Sequence, residues 1–449
     1  MQPAQTRPAV PPGPKGLPFI GNIFDMRERD TLKLWTAAWS DYGDAVHMRI
    51  GPIHLYFFAH PEACYDALVR QAKHQSKGMG YQGLRLLLGR GLITSDGDYW
   101  HNQRRLLQPL FTPGKVDAYF QTIAEGCDQG LARLARETSG DGEIELSAES
   151  MRLTMSVISR VIFGRDLTVD SLAIGHAFEH AFAFVADISL NPIRLPLAVP
   201  TRKNRAYREA QKQIDEFILD LIDHADDAAM SLIGPIRKQL AGNDAKGIRD
   251  EILTLFFAGF ETTARTLTWA IHLLSRHPQW IGPIREEAAA ALSGDLGDHR
   301  ILERMPLTLA VVHETLRLYP PAAFIARETN ETAEIGGYDV PKKSLVVLSP
   351  HLTHRHPDYW PDGETFRPDR PELAAIQRLP KGAYLPFGLG PRVCLGRHMA
   401  LIEATLGLAM FVERFDWTLR SDEDVGISFH GTSRPDRPIR LQLRPRRLN

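Results

Sequence analysis

Apolar residues recur along this chain in two rhythms. Between Ala45 and Ala59 they alternate: Val46-His47-Met48-Arg49-Ile50, the breaker Gly51-Pro52, then Ile53-His54-Leu55-Tyr56-Phe57-Phe58. That pattern predicts a strand, a turn and a second strand. From about Pro61 to His277, Leu, Ile, Ala and Phe return at helical spacing between short polar turns. Strand patterns reappear at Ala333–Tyr338, Ser344–Leu348 and Ile439–Leu443, and a helical pattern runs from His398 to Phe415. The chain therefore reads as mainly α with a small β portion. No internal repeat or low-complexity linker divides it.

The longest helical candidate runs from Lys246 to Arg276 and is ended by His277-Pro278. Ile248, Ile252, Leu255, Phe256, Leu267, Ala270 and Leu274 give it an apolar face. Ala258-Gly259-Phe260-Glu261-Thr262-Thr263 in its middle does not suit a core helix. Gly costs about 1 kcal/mol relative to Ala inside a helix, β-branched Thr a smaller amount. A glutamate on an apolar helix needs a partner or water. The segment is either a simple kink with Glu261 in solvent, or a distortion that opens a groove for a small ligand beside a hydroxyl and a carboxylate.

Composition narrows the class. The 449 residues are 43% hydrophobic and 24% charged, which excludes a disordered or fibrous chain. Basic and acidic residues number 53 and 54, a balance that argues against nucleic-acid binding. No apolar run approaches the ~20 residues of a membrane span, and no signal-peptide core is visible. The expectation is a soluble, cytoplasmic protein. Cys64, Cys127 and Cys394 are too few and too scattered for a disulfide framework.

Of these, Cys394 stands apart. It lies in Leu385-Pro386-Phe387-Gly388-Leu389-Gly390-Pro391-Arg392-Val393-Cys394-Leu395-Gly396, where glycines permit tight turns and a helical pattern follows at once. A helix N-terminus favours a thiolate, and a thiolate caged by backbone donors is what an axial haem-iron ligand needs.

This segment resembles the haem-binding signature of the cytochrome P450 family, F-x-x-G-x-x-x-C-x-G, at Phe387, Gly390, Cys394 and Gly396. Other family landmarks occur in order. Trp100-His101-Asn102-Gln103-Arg104 resembles W-x-x-x-R, and Ala258–Thr263 resembles the oxygen-activation motif A-G-x-[D/E]-T-T of the I helix. Glu314-Thr315-Leu316-Arg317 resembles E-x-x-R, and Phe366-Arg367-Pro368-Asp369-Arg370 the segment whose arginine joins that pair in a structural network.

The resemblance implies a P450 fold in a single domain spanning residues 1–449, with a proline-rich lead over 1–22 and no fused reductase. It places haem b between the I and L helices, with Cys394 as iron ligand. It implies cofactor contacts from Trp100, Arg104, Ala258, Arg327, Phe387, Gly388, Arg392 and Gly396, the cationic ones toward the propionates. Phe387 would shield the sulfur, Thr262 would assist oxygen activation, and Glu261 would relay protons from solvent. By family position, Leu92, Ile93, Phe256, Phe257, Ala323, Phe324 and Ile325 would line the substrate pocket under a lid from His176 to Val199.

The implied activity is monooxygenation of a C–H bond in a hydrophobic fatty acid, terpenoid or steroid by O₂. A peroxide-driven enzyme of this fold, a haem sensor without turnover and a cofactor-free helical scaffold are the alternatives. Electrons would come from a separate ferredoxin or flavodoxin with its reductase. Arg378, Lys381, Arg397, Arg105 and Lys115 form a basic face for such an acidic partner, or merely a solvated one. The chain is expected to be a monomer without a membrane anchor, of the soluble bacterial type.

Three further patterns are set aside. Gly78-Met79-Gly80-Tyr81-Gln82-Gly83 is a formal G-x-G-x-x-G without a preceding strand pattern, so a dinucleotide site is not expected. His351, His354 and His356 invite a metal, but the family carries a similar segment without one. Asn330-Glu331-Thr332 is a glycosylation sequon in a chain with no secretory signal.

Overall fold

The hairpin forms where alternation places it, with strands Ala45–Ile50 and Ile53–Phe58 antiparallel around Gly51. In this computed structural model the described residues are 10–28, 30–138, 142–166, 171–190, 196–225, 231–293, 299–429 and 431–446. Residues 1–9 of the proline-rich lead and 191–195 of the expected lid lie outside them. The hairpin opens a five-stranded sheet. Ile53–Phe58 pairs in parallel with Leu345–Leu348, which pairs antiparallel with Ile325–Thr329 and so reaches Gln75–Ser76.

Strand Ile325–Thr329 falls where the sequence suggested pocket lining at Ile325 and a propionate contact at Arg327, but no strand. Its alternation puts Ile325 and Arg327 on one face. The stretch Ala333–Tyr338 resolves into a small hairpin, Ala333–Ile335 with Tyr338–Val340. The C-terminal strand Arg440–Pro445 is paired on both sides, by Gly142–Glu145 and Phe415–Leu419.

Helices dominate the rest. The longest, Ala245–Arg276, is called the central helix below; Arg397–Arg414 is the cysteine helix. The Asp244 carboxylate caps the first at the Gly247 N–H, 2.7 Å away. His277, with ψ of 62° before Pro278, leaves helical geometry and ends it. The main core is built where the central helix, the cysteine helix, Phe120–Glu137 and Leu146–Phe163 pack together. Smaller cores lie on the two faces of the sheet.

The central helix stays α-helical through Ala258–Thr263. Gly259 is there for closeness: a Cβ on it would stand 2.7 Å from Ile158 Cδ1 of the neighbouring helix. Glu261 is not in solvent either, with only 5% of its surface exposed. The segment thus keeps its α-helical assignment, and its charge is buried.

Candidate active site

Cys394 sits in a loop that glycine makes possible. Gly388 and Gly390 have φ of 71° and 68°, and a Cβ on Gly390 would come within 2.1 Å of the Leu68 carbonyl oxygen. The Cys394 N–H donates back to the Phe387 carbonyl at 2.9 Å, closing the loop just before the cysteine helix. Burial pushes the thiol up, while the Gly396 N–H and the charges of Arg104 and Arg397 pull it down. The expectation that a helix N-terminus would by itself favour thiolate therefore meets a larger opposing desolvation. A bound metal cation would tip that balance, since a coordinating thiol is deprotonated.

The accessible surface of Cys394 opens on an internal cavity of about 330 Å³ between the central and cysteine helices. Its wall includes Trp100, Arg104, Ala258, Thr262, Arg327, Phe387, Gly388, Arg392 and Gly396. Segments more than 200 residues apart in sequence thus meet at one surface. A wider, polar cleft of about 650 Å³ near Asp44 and His60 contains none of these groups.

The donor set fits a haem. Arg104 Nη1 donates to the Val393 carbonyl at 2.8 Å. Arg392 holds Asp96 at 2.7 Å and lies 4.1 Å over the Trp100 ring. Arg327 reaches only its neighbour's carbonyl, Ala326 O, at 2.8 Å. A fourth cation, Lys77, lines the same wall with its ammonium 4.0 Å over the Tyr81 ring. Burial, then Arg327 and Arg392, hold its pKa well below the usual lysine range. Clustered buried cations call for anions, and two propionates on a flat apolar ring supply them. Lys77 escaped the sequence reading because it stands in a polar stretch that resembles any loop.

Thr262 lies on the cavity wall, its hydroxyl donating to the Ala258 carbonyl at 2.9 Å. Glu261, one residue earlier, points elsewhere. It accepts from Arg265 Nε at 3.0 Å and the Thr432 hydroxyl at 2.8 Å, with Arg434 at 3.8 Å. Burial opposes its charge, but Arg265 and Arg434 prevail and keep the carboxyl below its ordinary value. The carboxyl on the wall is instead Glu403 of the cysteine helix, which burial pushes well up and whose Oε1 has no partner.

The expected pocket residues divide. Leu92, Ile93 and Ile325 face the cavity. Phe256 and Phe257 do not, because they share a helical stripe with Phe260 rather than with Leu255, Ala258, Gly259 and Thr262. Phe257 stacks on Phe182 at 4.3 Å, and Phe256 packs against Phe163 and Phe178. Ala323 and Phe324 also stand off the wall, Phe324 edge-on to Phe429 at 5.0 Å.

Away from the cavity, Glu314 takes Arg317 at 2.6 Å and Arg370 at 2.9 Å, all three essentially without solvent exposure. Neutral His354, its pKa driven to about 3 by burial, donates from Nδ1 to the Arg317 carbonyl and accepts the Leu385 N–H at Nε2. The network is thereby tied to the start of the cysteine loop. His351 and His356 join different neighbours.

Asp44, His60 and His356 do cluster. Both imidazoles accept a backbone N–H at Nδ1, from Glu62 and Asp358, which leaves Nε2 protonated and unsuited to a metal. The G-x-G-x-x-G turn is likewise occupied, its Met79 N–H donating to the Glu328 carboxylate at 3.0 Å.

No described helix is long and apolar enough to cross a membrane. The chain matches the cytochrome P450 family over residues 11–443. It is 33% identical to cyclooctatin synthase of Streptomyces melanosporofaciens, covering 92% of this chain and 90% of that protein. It is 30% identical to pentalenene oxygenase of Streptomyces avermitilis, covering 96% and 97%. Cyclooctat-9-en-7-ol 5-monooxygenase of Streptomyces melanosporofaciens is 30% identical, over 91% and 89%. With its cysteine loop, cation cluster and threonine gathered on one cavity, the chain belongs to the cytochrome P450 family and is a P450 monooxygenase.

Proposed function

We propose that this monooxygenase carries haem b on Cys394 as one haem-binding unit and hydroxylates an apolar terpenoid. The observation that carries this reading is the cavity itself, where Cys394 and Thr262 share a wall with Leu92, Ile93, Leu255 and Ile325. Apolar surface binds apolar substrate without orienting hydrogen bonds. Relatives named for pentalenene and cyclooctat-9-en-7-ol support the terpenoid choice over fatty acids and steroids. The test is a screen of all three classes for the low-spin to high-spin Soret shift. Terpenoids should give it at the lowest concentrations; a tighter shift with fatty acids or steroids would reassign the substrate.

When bound, the haem supplies oxygen activation, which thiolate ligation favours. The chain's own part is to hold the ring with Lys77, Arg104, Arg327 and Arg392, exclude water with the apolar wall, and manage protons. Thr262 Oγ1 is the hydroxyl placed to donate into the cavity after leaving the Ala258 carbonyl. Glu261 can take a proton from solvent only when its pairing with Arg265 and Arg434 opens, so its relay is gated. Thr262→Ala should divert reducing equivalents to hydrogen peroxide and slow product formation by about 10²-fold, the lower end of what positioned proton transfer contributes. Fully coupled turnover in that variant would remove the assigned role.

Electrons would arrive from an acidic ferredoxin or flavodoxin at Arg105, Lys115, Arg378, Lys381 and Arg397, all of them exposed. Such docking weakens with salt. The rate of reduction by a plant-type ferredoxin or a flavodoxin should fall steeply as ionic strength rises. A rate indifferent to salt would place electron entry elsewhere.

A further inference from the structure

The loop that brings Leu92 and Ile93 to the cavity is held by two carboxylates of the central helix. The Arg90 N–H donates to Asp250 Oδ2 at 2.8 Å, and the Leu92 N–H donates to Glu251 Oε1 at 3.0 Å. The fit is close. A Cβ on Gly89 would stand 2.0 Å from the Asp250 carboxylate, and one on Gly91 would stand 1.9 Å from Thr254 Oγ1. Asp250, Glu251 and Thr254 thus make one helical face shaped to this backbone.

The two acids are anchored differently. Asp250 is paired with Arg249 at 2.8 Å and Lys246 at 3.4 Å, and Arg249 also pairs with Asp215 of helix Arg202–Asp223. Glu251 has no surface exposure and, among the described residues, no cation and no partner for Oε2. Burial raises its carboxyl to about 7. A buried acid with one oxygen unpartnered costs stability. Among the described residues, its side-chain bond goes to the residue that touches the cavity.

We propose that Glu251, with Asp250, is the positioning clamp that fixes Leu92 and Ile93 over the oxidation site and so sets the shape of substrate accepted there. Neither acid lies on the cavity wall, so both act through the loop. The proposal rests on the reading of this cavity as the haem-bearing oxidation site. Loss of the clamp should loosen the wall for ligands long enough to meet Leu92 while sparing those confined to the iron.

The experiment compares wild type, Glu251→Ala and Glu251→Gln as haem-loaded protein. Glutamine keeps an acceptor for the Leu92 N–H. Two measurements are made: hydrogen exchange at the Arg90 and Leu92 amides, and Soret titration with imidazole and with bulky, apolar clotrimazole. In Glu251→Ala the Leu92 amide should exchange at least about tenfold faster, and clotrimazole should weaken by about tenfold, the upper worth of one net hydrogen bond. Imidazole affinity should hold, and Glu251→Gln should restore both quantities.

An unchanged Leu92 exchange rate in Glu251→Ala overturns the clamp. So does an equal loss of both azoles, which would mean general damage, and so does failure of glutamine to rescue. A wild-type protein that gives no Soret shift with imidazole fails the haem reading first, and the clamp's role in specificity falls with it.

Discussion

Serine at position 394 is expected to abolish the long-wavelength Soret band of the reduced carbonyl complex that gives the family its name, together with monooxygenase turnover. The substitution is close to isosteric and leaves intact the turns at Gly388 and Gly390 that shape the loop. It also leaves Lys77, Arg104, Arg327 and Arg392 on the cavity wall. Haem should therefore still bind, with its carbonyl band moved to the shorter wavelength of haem proteins lacking a thiolate. Only the thiolate's electron donation is removed, and that donation favours O–O cleavage. A variant that kept the long-wavelength band would show that Cys394 is not the iron ligand. Cys64 and Cys127, both buried and pushed up by burial, are the internal controls: serine there should leave the band in place.

Arg370→Ala should cost about 3–5 kcal/mol, the loss reported for breaking a buried ion pair from one side. Arg370 is 1% exposed and bonds Glu314 Oε1 as well as the carbonyls of Pro361, Asp362 and Thr365. Alanine leaves the fully buried Glu314 carboxylate short of a donor and removes the tie from Glu314 to three carbonyls of the exposed turn at residues 361–365. Domains are stable by only about 5–15 kcal/mol, so the loss is a large share of the total. It should first appear as poor haem incorporation, because His354 couples this network to Leu385 and the cysteine loop. The measurement is the thermal midpoint and the haem-to-protein ratio. Arg370→Lys, which keeps a charge but loses the planar fork, should fall between alanine and wild type. A midpoint unchanged in Arg370→Ala would mean that Glu314 and Arg317 suffice.

The two rhythms of apolar residues determined a great deal. Alternation at Val46–Phe58 gave the hairpin, and the helical stripe gave a central helix whose observed ends, Ala245 and Arg276, are those the pattern marks to within a residue. Local chemistry does this, since proline, glycine and apolar period act on near neighbours. The order of five motifs likewise identified the family before any contact was known. Strand Ile325–Thr329 was missed because a short run that pairs with Leu345–Leu348 and Gln75–Ser76 draws its stability from partners distant in sequence.

Tertiary structure alone decided which way each side chain turns. Sequence places Glu261 beside Thr262, yet one step along a helix rotates by about 100°. The hydroxyl meets the cavity, while the carboxylate meets Arg265, Thr432 and Arg434. The same rotation turns Phe256 and Phe257 into the aromatic cluster around Phe178 and Phe182. Lys77 and Glu403 carry no local mark at all and acquire meaning only from the charges and the void the fold brings to them. The cysteine loop and the threonine motif to which we assign the chemistry were thus written locally. Which residues surround it depends on packing between segments hundreds of residues apart, and no period along the chain encodes that.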